Sequence, residues 1–127
     1  TMAATTDSSA QGQADLTAER ARQQELFDAM RGDLRDAGKA LDYARYSAEI
    51  EDYEAAISTF ERTLAASPPD SVIAQRLRIE LAALYFKIGS YAAASGYLEQ
   101  LANGPALSAD TAEKVARLRE EIDRRSE

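Results

Sequence analysis

The chain has 127 residues and a formal net charge of −7, with 15 Lys and Arg against 22 Asp and Glu, and it contains no His, Cys or Trp. One domain fits that length and can bury a core without staples, while disulfides, thiolate zinc sites, Cys nucleophiles, imidazole bases and His-held metals or haem are excluded. The acidic pI of ≈ 4.7 argues against nucleic acid, whose binders carry basic patches, so a non-enzymatic binding or scaffolding role remains.

Residues 1–14 are small and polar, and an unstructured tail is expected there. They carry no basic stretch followed by an apolar run, so no signal peptide is read from them. The first helix is expected from about Thr17 to Arg31, with Thr17 as N-cap and Leu26, Phe27 and Met30 as its apolar cluster. Gly32 ends it, and Asp33 or Asp36 caps a second helix running to about Glu49. A third begins near Asp52, with Tyr53, Ala56, Ile57, Phe60 and Leu64 as a helical stripe, and stops before Pro68-Pro69. Asp70 and Ser71 offer caps for a fourth, from Val72 to Ile88, and Gly89 is a natural left-handed stop. Ser90 is expected to cap the fifth helix, Tyr91 to Ala102, which Asn103-Gly104-Pro105 breaks. Ser108 caps the last, over about 108–125, where Ala112, Val115, Leu118 and Ile122 form one narrow stripe. Strand signals are missing, and no run of about 18 apolar residues could span a membrane. The expected fold is therefore all-α, one domain over 15–126.

Offsetting the chain by 38 residues aligns the two middle helix pairs. Tyr43 then maps to Leu81, Ala44 to Ala82, Tyr53 to Tyr91, Ala56 to Ala94 and Phe60 to Leu98. Small alanines at these points let paired helices approach closely. The second pair reads Leu81-Ala82-x-x-Tyr85, then Gly89-x-Tyr91-x-x-Ala94-x-x-x-Leu98. The pattern resembles the tetratricopeptide repeat family, with repeats over about 37–70 and 75–106 and flanking helices closing both ends. It departs from that family in a longer period, in Glu51 replacing the turn glycine, and in Ser47 standing where the second repeat has Tyr85.

A wider set of segments, from Gln24-x-Leu26-Phe27-x-x-Met30 through Asp52-Tyr53-Glu54-x-Ala56-Ile57 to Ile122-Asp123-Arg124-Arg125, is similar to the periplasmic N-terminal repeat domains of outer-membrane β-barrel proteins of the surface lipoprotein assembly modifier type. That resemblance implies a periplasmic setting within a longer bacterial protein; a cytoplasmic adaptor is the alternative.

In the repeat family the first helix of each pair lines the concave face. That places candidate partner contacts at Asp42, Arg45 and Glu49, and at Arg76, Ile79, Glu80, Ala83, Phe86 and Lys87. The mixture suits an extended peptide or a partner helix, with Ile79 and Phe86 as apolar anchors and the charges setting register. Phe86 is the leading candidate, because a large aromatic on a polar face is costly without a partner. Asp42 and Glu80 stand where a carboxylate clamp wants neutral or basic groups, so that mode is not expected. The acids Glu49, Glu51, Asp52 and Glu54 lack the loop of a calcium site and suit a helix start. Among the tyrosines, Tyr46 and Tyr97 fall off the repeat positions and are expected to be exposed. No nucleophile motif, carboxylate pair or phosphate loop is present. The alternative to an adaptor is a self-associating unit whose repeat ends stack between chains.

Overall fold

The computed structural model describes the backbone over residues 2–126 and the side chains over residues 12–126. The protein is all-α. Among the described residues the elements are α1 (Met2–Gly32), α2 (Ala37–Glu49), α3 (Tyr53–Ala65), α4 (Val72–Lys87), α5 (Tyr91–Ala102) and α6 (Ala109–Ser126). Each helix packs on the next in the chain, and α4 also touches α6. None is long and apolar enough to cross a membrane.

α1 starts at Met2 rather than near Thr17. The part of the expected tail that is described, 2–14, is therefore helical, while Thr1 and the side chains through residue 11 lie outside the described residues. The physical reason is propagation: once a helix exists, each Ala or Gln added at its end gains a backbone bond for one residue fixed. Residues 12–18 stay exposed, so packing does not hold that stretch of the helix. Thr17 is mid-helix, not a cap, and its hydroxyl donates to the Gln13 carbonyl at 2.8 Å.

The other helix starts follow side-chain capping. Asp36 accepts from the Lys39 amide at 3.3 Å, Asp52 from Ala55 at 3.3 Å, Ser71 from Ala74 at 3.2 Å and Ser108 from Thr111 at 3.3 Å. Ser90 was expected to do the same for α5 and makes no side-chain cap bond.

The turns between α2 and α3 and between α4 and α5 are the same turn. In the first, the amides of Ile50, Glu51 and Asp52 donate to the carbonyls of Tyr46, Ala48 and Ser47. In the second, those of Ile88, Gly89 and Ser90 donate to Leu84, Phe86 and Tyr85. Every donor and every acceptor is displaced by 38 positions. Both turns close through a left-handed residue, Glu51 with φ 66° and Gly89 with φ 84°, as a Schellman stop requires.

The same register organises the core. Ala44, Ala56, Ala82 and Ala94 have no exposed surface, and Phe60 and Leu98 have almost none. Ala44, Ala56 and Phe60 join Leu77, Leu81 and Leu84 in one cluster; Ala82, Ala94 and Leu98 join Leu101 and Ile122 in the other. Burying a ring such as Phe60 contributes about 1.5–3 kcal/mol, and the alanines let the helices come close enough to do it.

Polar links, buried or half-buried, tie successive helices. Gln23 of α1 donates through Nε2 to Ser47 Oγ at 3.0 Å and Asp52 Oδ2 at 2.9 Å. Glu61 of α3, 38 positions later, accepts on Oε2 from the hydroxyls of Tyr85 at 2.8 Å and Tyr97 at 2.9 Å. The departure at Ser47 is thereby explained: a small hydroxyl leaves room for Gln23, where the second pair puts Tyr85 against Glu61. Tyr97, expected to be exposed, is half-buried and stacked on Tyr85 with centroids 6.0 Å apart.

Candidate functional site

Residues of α2 and α4 that the core leaves free define the site. On α2, Asp42 and Glu49 are exposed; on α4, Arg76, Ala83 and Lys87 are exposed. The remaining candidates are partly spent inside the molecule. Arg45 and Glu80 pair with each other across α2 and α4, with Nη2 3.0 Å and Nε 3.2 Å from the same Oε1. With side chains 41% and 31% exposed, the pair is screened and contributes at most about 1 kcal/mol; its effect is to fix the spacing of the two helices on this face.

Phe86 does not stand alone on a polar face. It is half-buried in the second core cluster, its ring centroid 5.6 Å from that of Tyr91, and Ile79 packs against the same cluster. The cost expected for an unpartnered aromatic is met by Tyr91. Lys87 places Nζ 5.7 Å from the centroid of Tyr53, so it leans toward the start of α3.

Two open grooves divide the candidates. Asp42, Arg45 and Glu49 line one of ≈ 320 Å³ together with Tyr46 and with Arg22 and Leu26 of α1. Arg76, Ile79 and Glu80 line another of ≈ 430 Å³, whose far wall is Thr111 and Lys114 of α6. Ala83, Phe86 and Lys87 line neither groove. Sequence reasoning missed Lys114, although the register contains it: Lys114 falls 38 positions after Arg76. Both cations line this groove, Arg76 from α4 and Lys114 from α6, and Val72, Ile79 and Ala106 supply its apolar surface. Among the described residues, no three acidic side chains cluster in a way that could hold a metal ion.

No family model and no curated protein matches this chain.

α6 continues the 38-residue register. Val115 and Ile122 stand in register with Leu77 and Leu84 and likewise turn inward. Arg119 and Glu120 stand where α4 has the fully buried Leu81 and Ala82, and both are exposed. Among the described residues no helix covers that side, and charged residues occupy it.

Proposed function

We propose that the chain is a tetratricopeptide-type module that binds a peptide or a partner protein without catalysis. α2–α3 and α4–α5 are its two repeats. α1 acts as the second helix of a preceding unit and α6 as the first helix of a following one. The recurring turn and the recurring alanines support this reading.

The observation that carries the binding role is the α4–α6 groove, where Arg76 and Lys114 flank Ile79 beside Glu80. Two cations and one apolar wall suit an extended segment that carries an acidic residue next to an apolar one. The test is a peptide selection on the intact protein followed by binding to Arg76→Glu/Lys114→Glu. Both residues are exposed, so the fold is unaffected. Selected peptides should bind the variant about tenfold or more weakly; unchanged affinity contradicts the assignment.

The resemblance to surface lipoprotein assembly modifier-type proteins supports a periplasmic location as part of a longer outer-membrane protein, with a cytoplasmic adaptor as the alternative. Cell fractionation of the native source decides between them. Self-association through repeat ends is the second functional reading. The charged outward side of α6, with Arg119 and Glu120, weighs against it at that end. Light scattering across a concentration series tests it, a constant mass favouring the adaptor.

A further inference from the structure

A nearly buried hydroxyl of α3 has no partner among the described residues. Thr59 is 2% exposed. Its neighbours one and two turns on spend their hydroxyl protons on the helix: Thr63 donates to the Thr59 carbonyl at 2.8 Å and Ser67 to the Thr63 carbonyl at 2.7 Å. The Thr59 hydroxyl makes no such bond, although no fully enclosed side-chain oxygen among the described residues lacks one. Its oxygen is therefore the part of Thr59 that stays accessible, and it opens on a pocket of ≈ 340 Å³ at the junction of α1, α2 and α3. An unpaired hydroxyl is costly, so its partner has to come from within that pocket.

The charges around the pocket define the partner. Arg62, one turn after Thr59, and Arg35, just before α2, both line it. Helical side chains lean toward the N-terminus of their helix, which carries Arg62 over the turn of Thr59. Neither guanidinium has an ion-pair or hydrogen-bond partner among the described residues. No acidic side chain lines the pocket, in a chain whose net charge is −7. The repeat does not require these arginines, since Ile73 and Gln100 stand 38 positions later. Guanidinium and hydroxyl groups are donors matched to the oxygens of a carboxylate. The apolar wall is Met30, Leu34, Ala37, Ala40 and Ala66, with no aromatic ring to meet another ring. An alkyl chain covers such a wall; a bare oxyanion leaves it in water. The volume is at the lower end of the usual range of about 300–1,000 Å³ for small-ligand sites.

We infer that this pocket binds a short alkyl carboxylate, its carboxylate on Arg35, Arg62 and the Thr59 hydroxyl and its chain on Met30 and Leu34. The site shares no residue with the α2–α4 face or the α4–α6 groove, so it stands or falls independently of the peptide-binding reading.

The test is a titration of the intact protein with hexanoate at constant ionic strength, followed by amide chemical shifts. Saturable shifts are expected over residues 34–40 and 59–67. Acetate, which lacks the chain, hexanamide, which lacks the charge, and inorganic phosphate, which lacks the apolar body, should each bind about tenfold or more weakly. Arg35→Gln/Arg62→Gln changes only exposed residues and should lose binding to the same degree with an unchanged circular dichroism spectrum. Thr59→Val, which keeps the side-chain shape and removes the hydroxyl, should weaken hexanoate about tenfold with the same spectrum. The inference is overturned by no saturable shift, by equal binding of hexanamide or of inorganic phosphate, by retained binding in either variant, or by shifts confined to the α4–α6 groove.

Discussion

Glu51 and Gly89 close the same turn at the same point of two successive helix pairs, with φ of 66° and 84°. Only glycine adopts that conformation without cost. Glu51 is exposed and its side chain makes no hydrogen bond or ion pair among the described residues, so the strain has no compensation at the side chain. Glu51→Gly should therefore stabilise the protein by about 0.5–1 kcal/mol. Gly89→Ala should destabilise it by about 1–2 kcal/mol, because a Cβ at Gly89 meets nothing within 4 Å and the cost is purely conformational. Urea midpoints at unchanged m-value check both signs.

Gln23 anchors α1 to the first turn. Its Nε2 is the donor to both Ser47 Oγ and Asp52 Oδ2, and Ser47 is fully buried. Gln23→Ala leaves that hydroxyl without its partner and should cost about 1–3 kcal/mol. Gln24→Ala, at an exposed neighbour bonded only to Asp28 one helical turn away, should stay within about 0.5 kcal/mol. Equal losses in the two variants would show that the clamp contributes nothing to docking α1.

Tyr85 and Tyr97 should titrate late. Burial raises both phenol pKa values first, and the hydrogen bond to Glu61 and its charge raise them further. The folded state therefore holds these protons at a pH where the unfolded chain has released them. The resulting stability is complete below the unfolded value of about 10 and is lost as pH rises above it toward the raised folded values. Spectrophotometric titration of the folded protein should show a phenol component ionising above the usual range, which unfolding removes. Tyr97→Phe should reduce that component and flatten the alkaline loss of stability.

Ala94 sets the approach of α5 to α4. It has no exposed surface and packs with Ala82 and Leu98. Ala94→Leu should overpack this contact and cost about 1–3 kcal/mol, while Ala92→Leu, exposed on the same helix, should be nearly neutral. An unchanged melting point for Ala94→Leu would contradict the register that places it.

Helix boundaries were legible wherever a breaker or a cap marks them. Pro68-Pro69, Gly89 and the Asn103-Gly104-Pro105 run bound α3, α4 and α5 as expected, and the alanines at 44, 56, 82 and 94 announced the close contacts. The start of α1 was not legible, because residues 3–14 hold no large apolar residue to reveal a helical period, and Gly12 lies within the helix instead of ending it. Pairings between distant residues were hidden for another reason. The Arg45–Glu80 pair, the Gln23 clamp and the Glu61–Tyr97 bond join side chains that only the packed helices bring together. The packing of Phe86 was hidden for the same cause, since Tyr91 lies beyond the turn that folds it back.

The central claim is that the molecule is built from one helix–turn–helix unit repeated every 38 residues. The most direct test inserts a further copy of residues 37–74 after Ala74, which continues the register without changing any helix end. Because stacked repeats gain an interface with each added unit, the longer chain should unfold in a single transition at a higher urea midpoint and with a larger m-value. A lower midpoint, or a second transition belonging to the inserted segment alone, would contradict the repeat.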